Sequence, residues 1–198
     1  MRFLKENSYD IVKLFVNQIG ISIFSLVLYT AASRIIDVEL YISIFAILFY
    51  AALIYTASWD MGSQDRIKVD SGKMKQNDFK GAIVAAVANI PNVIFIVLAI
   101  IFIGSHLASG SEGMYTAFGV INLVFRLICA MYIGVLSAIF PAEVIDGVIT
   151  EAGKTAYLNQ SIGYLVCLIV PILAGAIGYY LGMRNIKPFS VSHKPAEK

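Results

Sequence analysis

Residues 113–141 read GMYTAFGVINLVFRLICAMYIGVLSAIFP, an apolar stretch whose one charged residue, Arg126, lies near its centre. A single helix over this stretch would be about 43 Å long, whereas the hydrocarbon core of a bilayer is about 30 Å thick. Divided into two crossings, each half would reach only about 20 Å. The stretch is therefore too long for one simple membrane span and too short for two.

Three arrangements fit this stretch. The first is a single tilted span with Arg126 facing the interior of the helix bundle. The second is a helix that breaks near Arg126 or re-enters, because non-helical backbone is tolerated at membrane depth where protein surrounds it. The third is a span that ends near Gly134 and continues as an interfacial helix. In all three, an arginine at this depth is expected to face protein or a wet cavity.

The rest of the chain is equally apolar. Its 198 residues are 59% hydrophobic and 14% charged, and the mean hydropathy of +0.78 exceeds that of soluble domains. The four other runs without a charged residue are residues 14–33, 40–59, 81–111 and 156–183. Each has the ~20 residues that a transmembrane helix needs, and none shows the alternating pattern of barrel strands. The sequence therefore predicts an all-α, polytopic helical integral membrane protein with five spans, the fourth long, broken or re-entrant.

We expect one helical membrane domain over residues 1–198. The predicted spans are residues 11–32, 39–58, 82–104, 114–141 and 157–183. Residues 60–80 are predicted to form a cytoplasmic loop, and residues 184–198 a C-terminal tail. The first run also resembles a signal peptide, because Arg2 and Lys5 precede it and small residues end it. Its length exceeds the 7–15 residues of a signal core, which favours a retained span.

Positive charge predicts the orientation, because cytoplasmic flanks carry the excess of lysine and arginine. Most of the fifteen such residues fall in three clusters, which are Arg2, Lys5 and Lys13; Arg66, Lys68, Lys73, Lys75 and Lys80; and Arg184, Lys187, Lys194 and Lys198. A common cytoplasmic side for all three clusters requires an even number of crossings, which a re-entrant fourth segment would supply. We therefore expect a plasma-membrane protein with both termini cytoplasmic and with residues 105–113 and 143–157 outside.

Four residues are predicted to bind a ligand. Asn89 and Asn92 lie three residues apart, hence on one helix face, and Pro91 leaves a backbone carbonyl without its usual donor. Counted inward from opposite sides, Asn92 lies about 15 Å and Arg126 about 18 Å deep, so the two could meet near the middle of the membrane. Asn122 precedes Arg126 by one turn. The alternative is that the asparagines only join helices through interhelical hydrogen bonds.

Catalytic signatures are scarce. Asp60, Asp65 and Asp70 recur every five residues, unlike the ligands of a calcium-binding EF-hand loop. The chain contains no phosphate-binding glycine loop and no G-x-S-x-G motif, and its two histidines and two cysteines are distributed over separate segments. We therefore expect no catalytic residue, cofactor or metal site. The net charge of +2 gives no indication of nucleic-acid binding.

The sequence thus favours a non-enzymatic membrane protein: a small transporter, or a membrane subunit or accessory protein of a larger complex. In size and helix number the chain resembles the substrate-binding subunits of energy-coupling-factor vitamin transporters. The alternative is a membrane-embedded lipid-modifying enzyme that uses the aspartates of residues 60–80. The expected partners are the lipid bilayer and, through the membrane helices, another protein or a second copy of the chain.

Overall fold

A computed structural model describes residues 2–32 and 38–186, without the side chain of Arg2. The tail residues 187–198, with three of the lysines that predict a cytoplasmic C-terminus, lie outside this part. The helices in chain order are α1 Arg2–Glu6, α2 Ser8–Ala32, α3 Val38–Asp70, α4 Lys80–Ala88, α5 Ile90–Ser109, α6 Glu112–Ile128, α7 Ile133–Ile139, α8 Glu151–Cys167 and α9 Ile169–Met183. A 3-10 turn, Ala130–Tyr132, joins α6 to α7, and a hairpin of β1 Val144–Ile145 and β2 Val148–Ile149 precedes α8.

The helices confirm the predicted all-α membrane fold. Four helical stretches are long and apolar enough to cross a bilayer, namely Ser8–Ala32, Val38–Asp70, Ile90–Ser109 and Glu151–Met183. The fifth apolar region is a pair of helical pieces, Glu112–Ile128 and Ala130–Ile139, which meet at an angle of 92°. The stretch with Arg126 is therefore broken, and a single straight tilted span is excluded.

Both ends of the broken stretch lie at the same end of the bundle. Near the start of α6, the ring of Tyr115 lies 5.1 Å from Nζ of Lys154 in the first turn of α8. One turn further in, the rings of Phe118 and Tyr157 are 5.9 Å apart. Since α6 begins beside the beginning of α8, the chain between them enters the bundle and returns. The segment from α6 to α7 is therefore re-entrant.

The opposite end of the bundle carries the described residues of the basic clusters. Asp65 near the end of α3 contacts Lys80 at the start of α4 and Tyr179 near the end of α9. Phe3 of α1 lines a cavity together with Lys73. The N-terminus, residues 71–79 and the end of α9 therefore share one end, which we call the basic end.

Helix α3 is longer than predicted, because residues 60–70 belong to it and not to a connection. Within this part, Lys68 pairs with Asp65 at 2.9 Å and Arg66 lies 3.7 Å from Asp70, spacings that support a helix. The helix ends at Asp70, and Gly72 beyond it has a φ of 72°, which is costly for other residues. The amides of Gly72 and Lys73 bond back to the last turn of α3, as in a Schellman cap.

Helices α3 and α9 form the most extensive contact among the described helices. A Cβ atom on Gly178 would collide with the carbonyl oxygen of Tyr55, and one on Gly182 with that of Trp59. The two backbones therefore touch directly. Such contact between small residues stabilises membrane helices through van der Waals packing.

We predict that Gly178→Ala destabilises the protein by about 1–3 kcal/mol, the usual cost of overpacking a core. Gly104→Ala is the matched control, since a Cβ there would meet nothing within 4 Å. Because alanine is the better helix former, the control should be more stable than wild type by about 0.5–1 kcal/mol. Unfolding titrations in mixed micelles measure both changes, and equal stability of the two variants would contradict the close α3–α9 contact.

The re-entrant course also predicts which sites share a side of the membrane. Cysteines in place of Ser109 and Val148 should react alike with an impermeant maleimide on intact cells. Cysteines in place of Ser71 and Ile186, at the basic end, should react only after permeabilisation. The wild-type protein, with both of its cysteines in apolar segments, gives the background. Opposite accessibility of positions 109 and 148 would show that the segment crosses the membrane.

Candidate functional site

The re-entrant segment turns at Cys129, where the helical hydrogen-bond pattern is interrupted. The carbonyl oxygen of Ile128 accepts hydrogen bonds from Gln18 Nε2 at 3.3 Å and from Ser22 Oγ at 2.5 Å. Both donors come from α2. Because a buried backbone carbonyl needs a partner when lipid offers none, these side chains allow the chain to turn inside the bundle.

The returning arm is attached to α2 and α3 in the same way. Ser43 Oγ of α3 donates to the carbonyl oxygen of Met131 and accepts from the amide of Val135 at 3.2 Å. The hydroxyl of Tyr29 accepts from the amide of Gly134 at 3.3 Å. A Cβ on Gly134 would collide with the carbonyl group of Glu39, so only glycine allows this approach.

A buried polar cluster lies beside the turn, and we call it the apex cluster: Gln18, Tyr50, Asn89, Asn92 and Tyr132. Asn92 Nδ2 donates to Asn89 Oδ1 and to Gln18 Oε1, both at 2.8 Å. Asn89 Nδ2 donates to the carbonyl oxygen of Ala85 at 2.8 Å. The two asparagines are therefore paired, as their spacing predicts, and they connect α4 and α5 to α2.

Two polar atoms of the apex cluster have no hydrogen-bond partner among the described residues. They are Asn92 Oδ1 and the hydroxyl oxygen of Tyr132, and these residues are 0% and 1% exposed. A buried polar group without a partner costs about 1–3 kcal/mol. The cluster thus keeps one acceptor and one hydroxyl available at the centre of the bundle.

Arg126 belongs to a second polar group, on the side of α6 that faces α8. Its Nη2 donates to Gln160 Oε1 at 2.7 Å, and Gln160 Nε2 donates to the carbonyl oxygen of Phe140 at 2.7 Å. The guanidinium carbon lies 5.3 Å from the centre of the Tyr157 ring. Arg126 Nε is buried without a partner, and no carboxylate of the described residues forms an ion pair with the guanidinium.

The structure therefore does not bring Arg126 to the asparagine pair. The carbonyl oxygen of Ile128 is bonded to α2, whereas the Arg126 guanidinium is bonded to Gln160 of α8. Asn122 lies one turn before Arg126 and is half-buried, and no hydrogen bond in the described part of the chain joins it to Arg126. The expected partner of Arg126 was an asparagine, and the observed partner is Gln160.

Gln18 and Gln160 are the site residues that the sequence analysis missed. Of the four glutamines in the chain, Gln64 and Gln76 lie between the second and third apolar runs, and only these two lie within uncharged apolar runs. A glutamine amide inside a membrane helix needs partners on other helices. Their position within apolar runs was therefore the signal that could have identified them. Both residues donate hydrogen bonds to backbone carbonyls of the re-entrant segment.

The aspartates of the alternative enzyme hypothesis do not converge. On a continuous helix, residues five positions apart point about 140° away from each other. Asp65 is 1% exposed and occupied by Lys68, Lys80 and the hydroxyl of Tyr179, whereas Asp60 is exposed. The described residues contain no group of three or more histidine, cysteine, aspartate or glutamate side chains that could hold a metal ion.

Comparisons with protein-family models, with curated proteins and with solved structures find no match for this chain. The fold and the site define a class of protein: an all-helical polytopic membrane protein in which a re-entrant segment packs against the bundle.

We predict that Arg126 and Gln160 are energetically coupled. Gln160→Leu leaves a buried guanidinium and the Phe140 carbonyl without their partner, and should strongly destabilise the protein. Adding Arg126→Leu removes the unpaired charge, so the double variant should be more stable than additivity predicts, by about 0.5–3 kcal/mol. Unfolding free energies of the wild type, both single variants and the double variant in mixed micelles give the coupling. Additive effects would show that the hydrogen bond contributes no stability.

Proposed function

We propose that the chain is a non-enzymatic transport protein, either a small transporter or the membrane subunit of a larger transport complex. The observation that supports this role best is the turn of the re-entrant segment beside the apex cluster. Broken helices and re-entrant backbone at membrane depth are typical of proteins that bind a solute near the bilayer midplane. A purely structural cluster would be expected to satisfy its own hydrogen bonds.

The apex cluster has the chemistry for a small polar solute. Asn92 Oδ1 offers an acceptor, and the hydroxyl of Tyr132 offers a donor or an acceptor. Asn89 orients Asn92 through their 2.8 Å hydrogen bond, so in this proposal Asn92 contacts the solute and Asn89 positions it. The solute would lie against the turn at Cys129.

Arg126 would act on the solute through its charge. Its guanidinium is partly buried, has an unpaired Nε and lacks a carboxylate partner within the described residues. An uncompensated cation at this depth attracts anions. We therefore expect Arg126 and the neighbouring Asn122 to favour acidic solutes on their way along α6, on the α8 side of the segment.

The distribution of charge supports an orientation for this transporter. The basic end carries Lys68, Lys73, Lys75 and Lys80, and lysine-rich flanks stay in the cytoplasm. Both termini would thus be cytoplasmic, and the re-entrant segment would enter from outside. A plasma-membrane location is part of the same proposal.

The enzyme alternative receives less support from the geometry. Asp65 already forms ion pairs with Lys68 and Lys80 and accepts a hydrogen bond from Tyr179. A metal-dependent reaction on a lipid would need this carboxylate together with at least one more, and Asp60 and Asp70 point to other sides of α3. The transport proposal requires none of these groups.

The reactivity of Cys129 tests the transport role without knowledge of the solute. Cys129 is 1% exposed, whereas Cys167 is less deeply buried. The two cysteines are compared one at a time, Cys129 in the Cys167→Ser protein and Cys167 in the Cys129→Ser protein. If a water-filled path passes the turn, a small charged methanethiosulfonate should modify Cys129 roughly 10-fold or more faster than Cys167, because lipid excludes charged reagents. Mass spectrometry of the folded, liposome-reconstituted protein measures both rates.

Two further variants locate the path. Asn92→Leu in the Cys167→Ser background should slow the modification of Cys129, since it replaces the polar wall of the apex cluster. Asn159→Leu, the same change at an exposed residue of α8, should leave the rate unchanged. A Cys129 that stays protected for as long as the protein is folded would contradict the transport role.

Purification in a mild detergent separates the two versions of the proposal. A membrane subunit of a larger transporter should stay bound to an ATPase through solubilisation and size-exclusion chromatography. A small transporter should elute without one and should still show the reactive Cys129 after reconstitution alone.

A further inference from the structure

A cavity of about 490 Å³ lies at the basic end, and we call it the lysine cavity. Its lining includes Phe3 of α1 and the polar side chains of Lys68, Lys73, Lys75, Asn77 and Lys80. Its size falls within the range of about 300–1,000 Å³ that is typical of small-molecule sites. None of the residues assigned above to transport lines this cavity.

The lysine cavity carries an excess of positive charge. Lys68 and Lys80 share one carboxylate, that of Asp65, at 2.9 and 2.5 Å. Lys73 and Lys75 form no ion pair with any described residue. Glu6 is the one acidic residue of the lining, and Asp10 of α2 lies near enough to Lys80 and Lys68 to interact with them electrostatically, so four lysines face three carboxylates.

The polar groups of the cavity suit a phosphate group. Lysine ammonium groups donate charge-assisted hydrogen bonds to phosphate oxygens. Asn77 Oδ1 accepts a hydrogen bond from the amide of Phe79 at 3.1 Å, which fixes its side chain and leaves the amide NH₂ group as a further donor. A phosphate group bound here would be surrounded by donors from both ends of the connection at residues 71–79.

The end of the same connection also borders an apolar surface. Lys80 immediately precedes the uncharged run of α4, and Phe79 beside it is 76% exposed. Asp78 and Phe79 line a second cavity, of about 540 Å³, which is completed by Ala176, Ile177, Tyr180 and Leu181 of α9. Residues 77–80 thus border a cationic cavity and an apolar groove, a combination that matches a headgroup and an acyl chain.

From these two cavities we propose that the basic end holds an anionic phospholipid, with its phosphate group in the lysine cavity and an acyl chain in the groove against α9. The lipid would contact α1, the end of α3, the start of α4 and α9, next to the contacts that Asp65 makes with Lys80 and Tyr179. This site is independent of the proposed transport role. A free phosphate or a soluble phosphate ester shares the headgroup chemistry but has no use for the groove.

Native mass spectrometry of the detergent-purified full chain tests this site with phosphatidylglycerol as the probe. The decisive variant is Lys73→Gln with Lys75→Gln, because neither lysine pairs with a described carboxylate and folding should be retained. At about 1 kcal/mol for each lysine near an anionic surface, the loss of both should weaken binding roughly 10- to 30-fold. Lys5→Gln with Lys13→Gln removes the same charge from the same end outside the cavity lining, and should change the affinity less than about 2-fold.

Soluble competitors identify the source of the phosphate. Glycerol 3-phosphate and inorganic phosphate, each at the concentration at which phosphatidylglycerol saturates the site, should not displace the lipid. Phosphatidylcholine should bind more weakly than phosphatidylglycerol. Displacement by glycerol 3-phosphate would assign the cavity to a soluble phosphate ester and overturn the lipid assignment. An equal loss of affinity for phosphatidylglycerol in both double variants would show that only the general surface charge matters, and would overturn the proposed site.

Discussion

The structure depends on one constraint: backbone groups inside a bilayer must find partners within the protein. At Cys129 the chain leaves the helix, and the carbonyl of Ile128 loses its helical donor. Gln18 and Ser22 replace that donor. On the returning arm, Ser43 donates to the carbonyl of Met131 and Tyr29 accepts from the amide of Gly134. The polar residues of α2 and α3 are placed where the re-entrant backbone needs them, and the positions of these two helices relative to the segment follow from those hydrogen bonds.

The same constraint connects the fold to the candidate site. Each side chain that pairs with the turn is itself polar and buried, so it needs further partners. Gln18 accepts a hydrogen bond from Asn92, and Asn92 also donates one to Asn89. The chain of partners ends at Asn92 Oδ1, which is unpaired among the described residues. The polar groups that stabilise the turn are therefore connected to Asn92, the residue that the transport proposal assigns to the solute.

Much of the architecture could be predicted from the sequence, because bilayer thickness converts directly into helix length. The stretch around Arg126 has a length that fits no simple span, and the structure breaks it close to that residue. The partner of Arg126 could not be predicted in the same way, since depth does not determine which way a side chain points around a helix. That Asn89 and Asn92 lie on one face was predictable from their three-residue spacing, because the helical bond from the Val93 amide to the Asn89 carbonyl persists across the break at Asn89.

The polar end of α3 shows a second limit. Residues 60–70 are rich in charge, and composition favoured a connection there. Contacts between residues distant in sequence stabilise a helix there instead. The hydroxyl of Tyr179 donates to Asp65, and Gly62 lies against the backbone of α9 at Tyr179. Lys80, fifteen residues further on, completes the ion pair. Such contacts are invisible to a reading of local composition.

Within the predicted spans the helices are interrupted at Asn89, Cys129 and Leu168, and each interruption separates helices with different neighbours. Helices α4 and α9 pack mainly with each other and with α2 and α3, whereas α5 and α8 pack with each other and α5 also with α6. The amides of Asn89 and Leu168 keep their bonds to the preceding turn, but a proline follows each of them, at positions 91 and 171, and removes one donor from the helix. At Cys129, side chains of α2 replace the helical donor of the Ile128 carbonyl. A change of angle between successive helices therefore costs fewer hydrogen bonds at these three positions than within an unbroken helix.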